Sequence, residues 1–447
     1  MLLMRHLFIT DPDIRSLIEE ENERQRTGLE LIPSENHTSV AVLEAMASTF
    51  TDKYAEGYPG KRYYSGNAVA DKLETLVQDR AKKLFGVPHA NVQAYSGSPA
   101  NLAVYVATCE LGDPIMGLNL PDGGHLTHGW KFSATSKFWK SFPYHLNPDG
   151  SFDFEEIRRI ALECKPKIIW CGGTAVPRAI PFAEFAKVAD EVGAYLVADV
   201  SHIAGLIVGG QHESPAPYAH IITTTTHKTL RGPRGALILV TDKGLAKDPD
   251  LATKIDKAII PGLQGGPHLN TIAGIGVALH EASLPAFADY AKRVVENAKT
   301  LADALMSNGF TLVSGGTDNH LLLIDLRPTG MGRGKFLQAA LERVGLYANM
   351  NTVPGDDSSP LNPSGLRLGS PAATTRGMGP DEMRLIASLV TRVRDQIADV
   401  KLSDDKEERK AINTAFKERL ETDPFFAEMR KEVEEFCKPF PVPALQD

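Results

Sequence analysis

At 447 residues, with 43% hydrophobic and 23% charged residues, the chain has ordinary globular composition and length enough for two or three domains around a deep core, which excludes disorder. A net charge of -8 argues against a nucleic-acid footprint but leaves room for a local basic pocket. Cys109, Cys164, Cys171 and Cys437 show no CxxC or zinc-like spacing and read as reduced thiols of a cytoplasmic protein, and no apolar run approaches a membrane span.

The apolar segment Leu2 to Ile9 is interrupted by Arg5 and His6 and lacks a small-residue cleavage site, so it does not read as a secretion signal. Pro12 to Arg26 is charged and helix-compatible, an arm with Leu17 and Ile18 as its apolar contacts. The run Leu29 to Ile32 is broken by Pro33 and delivers Ser34, Glu35 and Asn36 to a turn. Lys53 to Gly66 holds four tyrosines, three glycines and a proline in fourteen residues, so it is neither a regular helix nor a central strand. It is either a binding loop or a packed surface loop.

Ala70 to Phe85 resumes helical spacing and stops at Gly86. Asn91 to Tyr95 is strand-like and runs into Ser96-Gly97-Ser98-Pro99, where Ser98 is expected as N-cap and Pro99 at the first helical position of a helix through Cys109. A strand, a small hydroxyl-rich turn and a helix N-terminus make a cup for phosphate, a weak signal when taken alone. After the apolar segment Pro114 to Leu120, His125 and His128 lie on a glycine-flanked loop. No carboxylate or cysteine cluster completes a metal set in the sequence, so no metal is expected, and an imidazole stacked on a flat ring suits the position better.

From residue 150 the pattern becomes strand, helix, strand: Lys167 to Cys171, the helix Pro181 to Val192, the strand Ala194 to Asp199 followed by His202, then His220 onward into Thr223-Thr-Thr-Thr-His227-Lys228, and the strand Ala236 to Val240. This alternation predicts an α/β fold with a mostly parallel sheet, ligands at the carboxyl ends of its strands, and Asp199 and Lys228 both at such ends. Lys228 there is either an ordinary strand-end lysine or a Schiff-base nucleophile. Pro261 to Pro267 is a glycine-rich turn able to approach an anion, and Ile272 to Leu284 is helical. Strands at Phe310 to Val313, His320 to Asp325 and Gly365 to Gly369 alternate with helices at 289–307, 334–344 and 380–399, and Ser403 to Glu435 reads as a charged, solvated surface helix.

A strand-end Asp, a strand-end Lys about thirty residues later, a Ser-Gly-Ser cup and a stacking His form the parts list for pyridoxal phosphate. Lys228 carries the aldimine in this reading, Asp199 holds the ring nitrogen protonated, Ser96, Gly97 and Ser98 take the phosphate, and His125 covers the ring.

With these parts in hand, the sequence closely resembles serine hydroxymethyltransferase from about residue 10 to residue 400. The matching stretches are Leu31-Ile-Pro-Ser-Glu-Asn36, Lys53 to Tyr64, Ala90 to Gln93 with Ser96 to Ser98, Gly123-Gly-His-Leu-Thr-His-Gly129, Thr223 to Gly235, Gln264-Gly-Gly-Pro267, Thr317 to His320 and Arg367-Leu-Gly-Ser-Pro-Ala372. The resemblance implies a fold-type I (aspartate aminotransferase-like) enzyme, its large domain built on a mostly parallel seven-stranded sheet beside a smaller α+β C-terminal domain. It implies a homodimer or pair of dimers with shared active sites. The expected layout is an N-terminal arm (1–35), a large domain (36–280), a small domain (281–400) and a charged helical extension (401–447).

The resemblance also implies roles. Arg367 and Ser34 clamp the amino-acid carboxylate; Glu56, Tyr54 and Tyr64 come from the neighbouring chain, with Glu56 as proton shuttle. His202 and Thr174 contact the cofactor's phenolic oxygen, while Thr225, His227 and Arg234 position the Lys228 linkage. Gly262 and Gln264 reach the partner's phosphate, and Leu120, Gly124, Leu126 and Asn351 meet the folate. The implied reaction converts serine and tetrahydrofolate to glycine and 5,10-methylenetetrahydrofolate by retro-aldol cleavage. Val176, Tyr95, Pro99, Met350 and Asn362-Pro363 depart from the family's usual residues without removing a catalytic group, and Met350 deletes a charge beside the implied folate site. Competing readings are an α-methylserine hydroxymethyltransferase or threonine-type aldolase with the same residues, an aminotransferase, and a non-catalytic relative.

Overall fold

The computed structural model describes residues 6–358, 361–403 and 405–446, so Leu2 to Arg5 of the apolar N-terminal segment lie outside the described residues. The chain forms two compact units, one of residues 38–292 and one of residues 1–37 with 293–447.

The first unit is built on a seven-stranded sheet in the order His89–Asn91, Ala236–Val240, Ile221–Thr225, Tyr195–Asp199, Ile168–Cys171, Pro114–Leu118, Lys140–Tyr144. The five strands from Ile221–Thr225 to Lys140–Tyr144 run parallel, and Ala236–Val240 pairs antiparallel with both its neighbours. Ile168–Cys171, Ile221–Thr225 and Ala236–Val240 are buried at every position, as expected of continuous apolar or β-branched runs covered on both faces. Val104 and Tyr105 of the helix Gly97–Thr108 share one core with the strand residues Trp170, Val197 and Ile238. That helix starts earlier than its sequence suggests. Ser96, not Ser98, is the N-cap, no side chain caps the turn, and Pro99 lies at the third helical position. The first-turn amides are therefore left for another acceptor. The helix Ala68–Phe85 ends at Gly86, whose φ of 66° is the left-handed stop the sequence predicts.

The second unit holds a four-stranded antiparallel sheet ordered Thr311–Leu312, Leu321–Asp325, Gly365–Gly369, Asn349–Asn351. Its N-terminal helix Pro12–Thr27 leads into Leu29–Glu30, which pairs parallel with Leu346–Tyr347. The C-terminal tail corrects the sequence expectation of one solvated helix. It forms two helices, Lys406–Thr422 and Pro424–Cys437, and Phe416, Leu420, Phe426, Met429 and Val433 are buried in the same core as Leu322, Ile324, Leu366 and Val390. Arg376, 5% exposed, donates to the carbonyls of Arg26 and Gly28 and to those of Cys437 and Phe440, tying the N-terminal helix to the tail. No single helix among the described residues is long and apolar enough to cross a membrane.

Candidate active site

The carboxyl ends of the parallel strands converge on one pocket in the first unit, lined by Gly97, His125, His128, Gly173, Thr174, Asp199, Ser201, His202, Thr225 and Lys228. The register explains the convergence: Asp199 pairs with Thr223, and the chain passes from Thr225 directly into the turn that carries Lys228. That turn is pinned to the segment after Asp199. Thr225 donates its amide to Ser201 Oγ at 3.0 Å, and Thr229 Oγ1 donates to the His202 carbonyl and accepts from the Gly205 amide, each at 3.0 Å. Lys228 is 9% exposed, a burial that suits a nucleophilic amine better than a surface charge.

Asp199 is the electrostatic anchor. Its Oδ2 accepts from His128 Nε2 at 3.1 Å and Asn101 Nδ2 at 2.9 Å, and its Oδ1 accepts from the Ser201 amide at 3.1 Å and Ser201 Oγ at 2.6 Å. Burial alone raises this carboxyl. The hydrogen bond and charge of His128, with His125 and Ser201, outweigh it and hold Asp199 well below the usual carboxylate range. His128 is in turn stacked on Trp170, ring centroids 5.0 Å apart and 13° from parallel. His125 Nδ1 lies 2.7 Å from Thr127 Oγ1, and burial followed by the charge of His128 pushes His125 down to about 4, so it is neutral and free to lie against a ring. His227 is pushed down to about 3 by burial and then by Lys228 and Arg234.

Gly97, His125, Thr174, Asp199, His202, Thr225 and Lys228 are thus gathered as the sequence expects. Ser96 and Ser98 flank Gly97 at the helix start, Ser98 exposed, and Arg234 is exposed on the turn after Lys228. Thr174 Oγ1 donates to the Gly124 carbonyl at 3.1 Å, which joins the Leu120–Asp122 and Leu126–His128 turns to the pocket wall; Leu126 itself is exposed.

A separate cluster in the same unit holds Tyr54, Glu56, Tyr64 and Gln264, none of them lining that pocket. Tyr54 Oη donates to Glu56 Oε1 at 2.9 Å and meets the Tyr64 ring edge-on at 4.8 Å, while Gln264 accepts from the Tyr95 amide and donates to the Gln93 carbonyl. Tyr54, Tyr64 and Gly262 are exposed. In the second unit, Arg367 is 8% exposed on the strand Gly365–Gly369, donates Nε to Asn349 Oδ1 at 3.1 Å, and is pushed down to about 10 by burial; Ser34 and Asn351 are half-buried.

Sequence reading missed Asn101, Ser201 and the role of His128. Ser201 had a local signal, because an Asp followed two residues later by a donor is a common side-chain turn. It also held that no carboxylate joins the two histidines. The fold corrects this: Asp199 brings a carboxylate oxygen to within 4.8 Å of ring nitrogens of both, across 71 residues of sequence from His128.

The pocket fits pyridoxal phosphate on two observations. Thr225 Oγ1 is buried without a hydrogen-bond partner, an orphaned hydroxyl beside the lysine. At Gly97 an added Cβ meets Thr225 Cγ2 at 2.8 Å, so only glycine keeps the uncapped helix start open beside that wall.

Comparison with known proteins follows the same line. The chain is 51% identical to a serine hydroxymethyltransferase of Acidothermus cellulolyticus over 98% of this chain and 97% of that protein. It is 49% identical to those of Desulfotalea psychrophila and Sorangium cellulosum, over 98% and 99% of this chain and 95% and 98% of theirs. Residues 7–390 match the family model described as serine hydroxymethyltransferase, and the chain belongs to that family of fold-type I pyridoxal-phosphate enzymes.

Proposed function

We propose that the Lys228 pocket holds pyridoxal phosphate and that the protein interconverts serine and tetrahydrofolate with glycine and 5,10-methylenetetrahydrofolate, as a cytoplasmic homodimer. Pyridoxal phosphate supplies, when bound, an electron-accepting ring that makes cleavage of the serine Cα–Cβ bond accessible. Lys228 would hold it covalently, Asp199, its carboxylate held ionised, would keep its ring nitrogen protonated, and His125 would lie against its ring. The amides of Ser96, Gly97 and Ser98 would receive its phosphate at the start of a helix, where the dipole favours an anion. Thr174 and His202 would meet its phenolic oxygen, and Thr225, His227 and Arg234 would hold the lysine in place.

Arg367, helped by Ser34, clamps the substrate carboxylate, and its burial makes an anionic partner favourable. Glu56 moves the proton at the hydroxymethyl oxygen, oriented by Tyr54 and Tyr64. In a homodimer these three residues, with Gly262 and Gln264, serve the second copy's pocket. Leu120, Gly124, Leu126 and Asn351 receive the folate.

The observation that carries the reading is the pocket in which Lys228, the four-fold hydrogen-bonded Asp199 and His125 meet. Serine cleavage assayed with and without tetrahydrofolate tests it. Strong stimulation by the folate, with glycine and methylenetetrahydrofolate formed in equal amounts, is the expected result. Folate-independent cleavage of serine or threonine would make the protein an aldolase instead.

A further inference from the structure

A second buried charge network in the first unit lies outside the pocket. Glu74, on the helix Ala68–Phe85, has a fully buried side chain, and Arg62, whose side chain is 4% exposed, donates Nη2 to its Oε2 at 2.6 Å. Gln93 Nε2 donates to the other oxygen at 2.8 Å, joined by Gln78 at 3.2 Å. Burial pushes the Glu74 carboxyl up, while the charge of Arg62 and the Gln93 hydrogen bond pull it back. A buried ion pair of this kind is weak evidence for stability, since apolar residues of the same volume often serve as well. Its other contacts suggest a different use.

Arg62 Nη1 donates to the carbonyls of Ala55 and Gly57 at 2.8 and 2.7 Å, and Gln93 Nε2 also donates to the Gly57 carbonyl at 2.9 Å. These are the two residues flanking Glu56. The Glu56 carbonyl itself accepts from the Tyr63 amide at 3.1 Å, within the short ladder that pairs Gly57 with Arg62. Arg62 also meets Asp71 at 2.8 Å, but Asp71 is partly exposed and does not touch Gln93 in this network. Glu74 is the acceptor common to both donors that grip the backbone around Glu56.

We propose that Glu74 is a positioning residue for the reaction: by fixing Arg62 and Gln93 it holds the backbone on both sides of Glu56 and so aims the Glu56 carboxyl. The proposal rests on the reading of Glu56 as the proton carrier at the hydroxymethyl group. A loop rich in glycine and tyrosine cannot hold one side chain to the tolerance proton transfer demands without such a frame.

The test compares Glu74→Gln, Gln93→Met and Glu56→Gln with the double variant Glu56→Gln/Glu74→Gln, all loaded with pyridoxal phosphate. We expect Glu74→Gln and Gln93→Met each to lower kcat for serine by about tenfold to a hundredfold with the serine KM little changed. Exchange of the glycine α-proton, which involves no hydroxymethyl group, should stay near wild type, and the double variant should be no slower than Glu56→Gln alone. Amide hydrogen exchange across residues 55–64 should accelerate in both Glu74→Gln and Gln93→Met while that of 195–228 does not. Wild-type kcat in either folded variant, or losses that multiply with Glu56→Gln, overturns the proposal, and Gln93→Met carries the test if Glu74→Gln does not fold. Should Glu56→Gln itself keep wild-type serine turnover, the reading of Glu56 fails instead, and that outcome is seen separately.

Discussion

Asp199 shows how much of a catalytic group's character lies in its neighbours. A buried carboxylate with no donors would be neutral and unable to hold a protonated ring nitrogen. Here His128, Asn101 and Ser201 supply four hydrogen bonds, two on each oxygen. The same burial leaves a set of histidines neutral: His37, His125 and His220 are each pushed down to about 4 and His227 to about 3, burial being the first cause in every case. The sign of the linkage follows. Below the ordinary value of 6.5 the unfolded chain takes up protons on these four residues that the folded chain refuses, so stability falls as pH drops from 6.5 to about 4. Glu30 works the other way, raised to about 8 by burial and then by Glu35, and offsets part of this above its ordinary 4.5. The urea midpoint at about pH 5 should therefore lie below that at about pH 7, by on the order of several kcal/mol of unfolding free energy. Equal midpoints would show that the histidines are not buried neutral.

At the scale of elements, the central strands of the first unit were legible, because buried parallel strands such as Ile168–Cys171 are short apolar runs bounded by glycine or charge, whereas helices such as Val40–Met46, Phe154–Cys164 and Leu251–Lys257 and the edge strand Lys140–Tyr144 were not read. The helix start at Gly97 was misread by two residues, since Ser98-Pro99 is a good local cap signal that tertiary packing overrides. The tail was misread for a different reason. Its helices are strongly charged, and the few apolar residues spaced along them did not announce a buried face until the core they meet was known. Phe426, fully buried, gives the check: Phe426→Ala should cost about 3 to 5 kcal/mol, read as a lowered urea midpoint of the second unit. A change of only a few tenths would mean that the tail is a solvated appendage after all. Among site residues, Lys228 and Asp199 were legible because they end strands. The contacts of Asn101 and His128 with Asp199 were not, because they join residues 98 and 71 positions apart.

For the whole molecule, the cluster of Tyr54, Glu56, Tyr64 and Gln264, in which both tyrosines are exposed, has no part in the pocket lining of its own chain, which accords with the proposed exchange of residues between two copies. That exchange predicts complementation. Lys228→Ala and Glu56→Gln homodimers should each be nearly inactive. Dissociated and remixed, they should regain roughly a quarter of wild-type activity, because each mixed dimer contains one pocket with both residues intact. No recovery despite proven subunit exchange would place Lys228 and Glu56 of the same chain in one site. The central claim lies one level deeper, in the covalent anchorage of the cofactor. Borohydride reduction of the pyridoxal phosphate-loaded protein followed by peptide mass mapping tests it most directly: the phosphopyridoxyl group should be found on Lys228, and a label on another lysine, or none, would contradict the account.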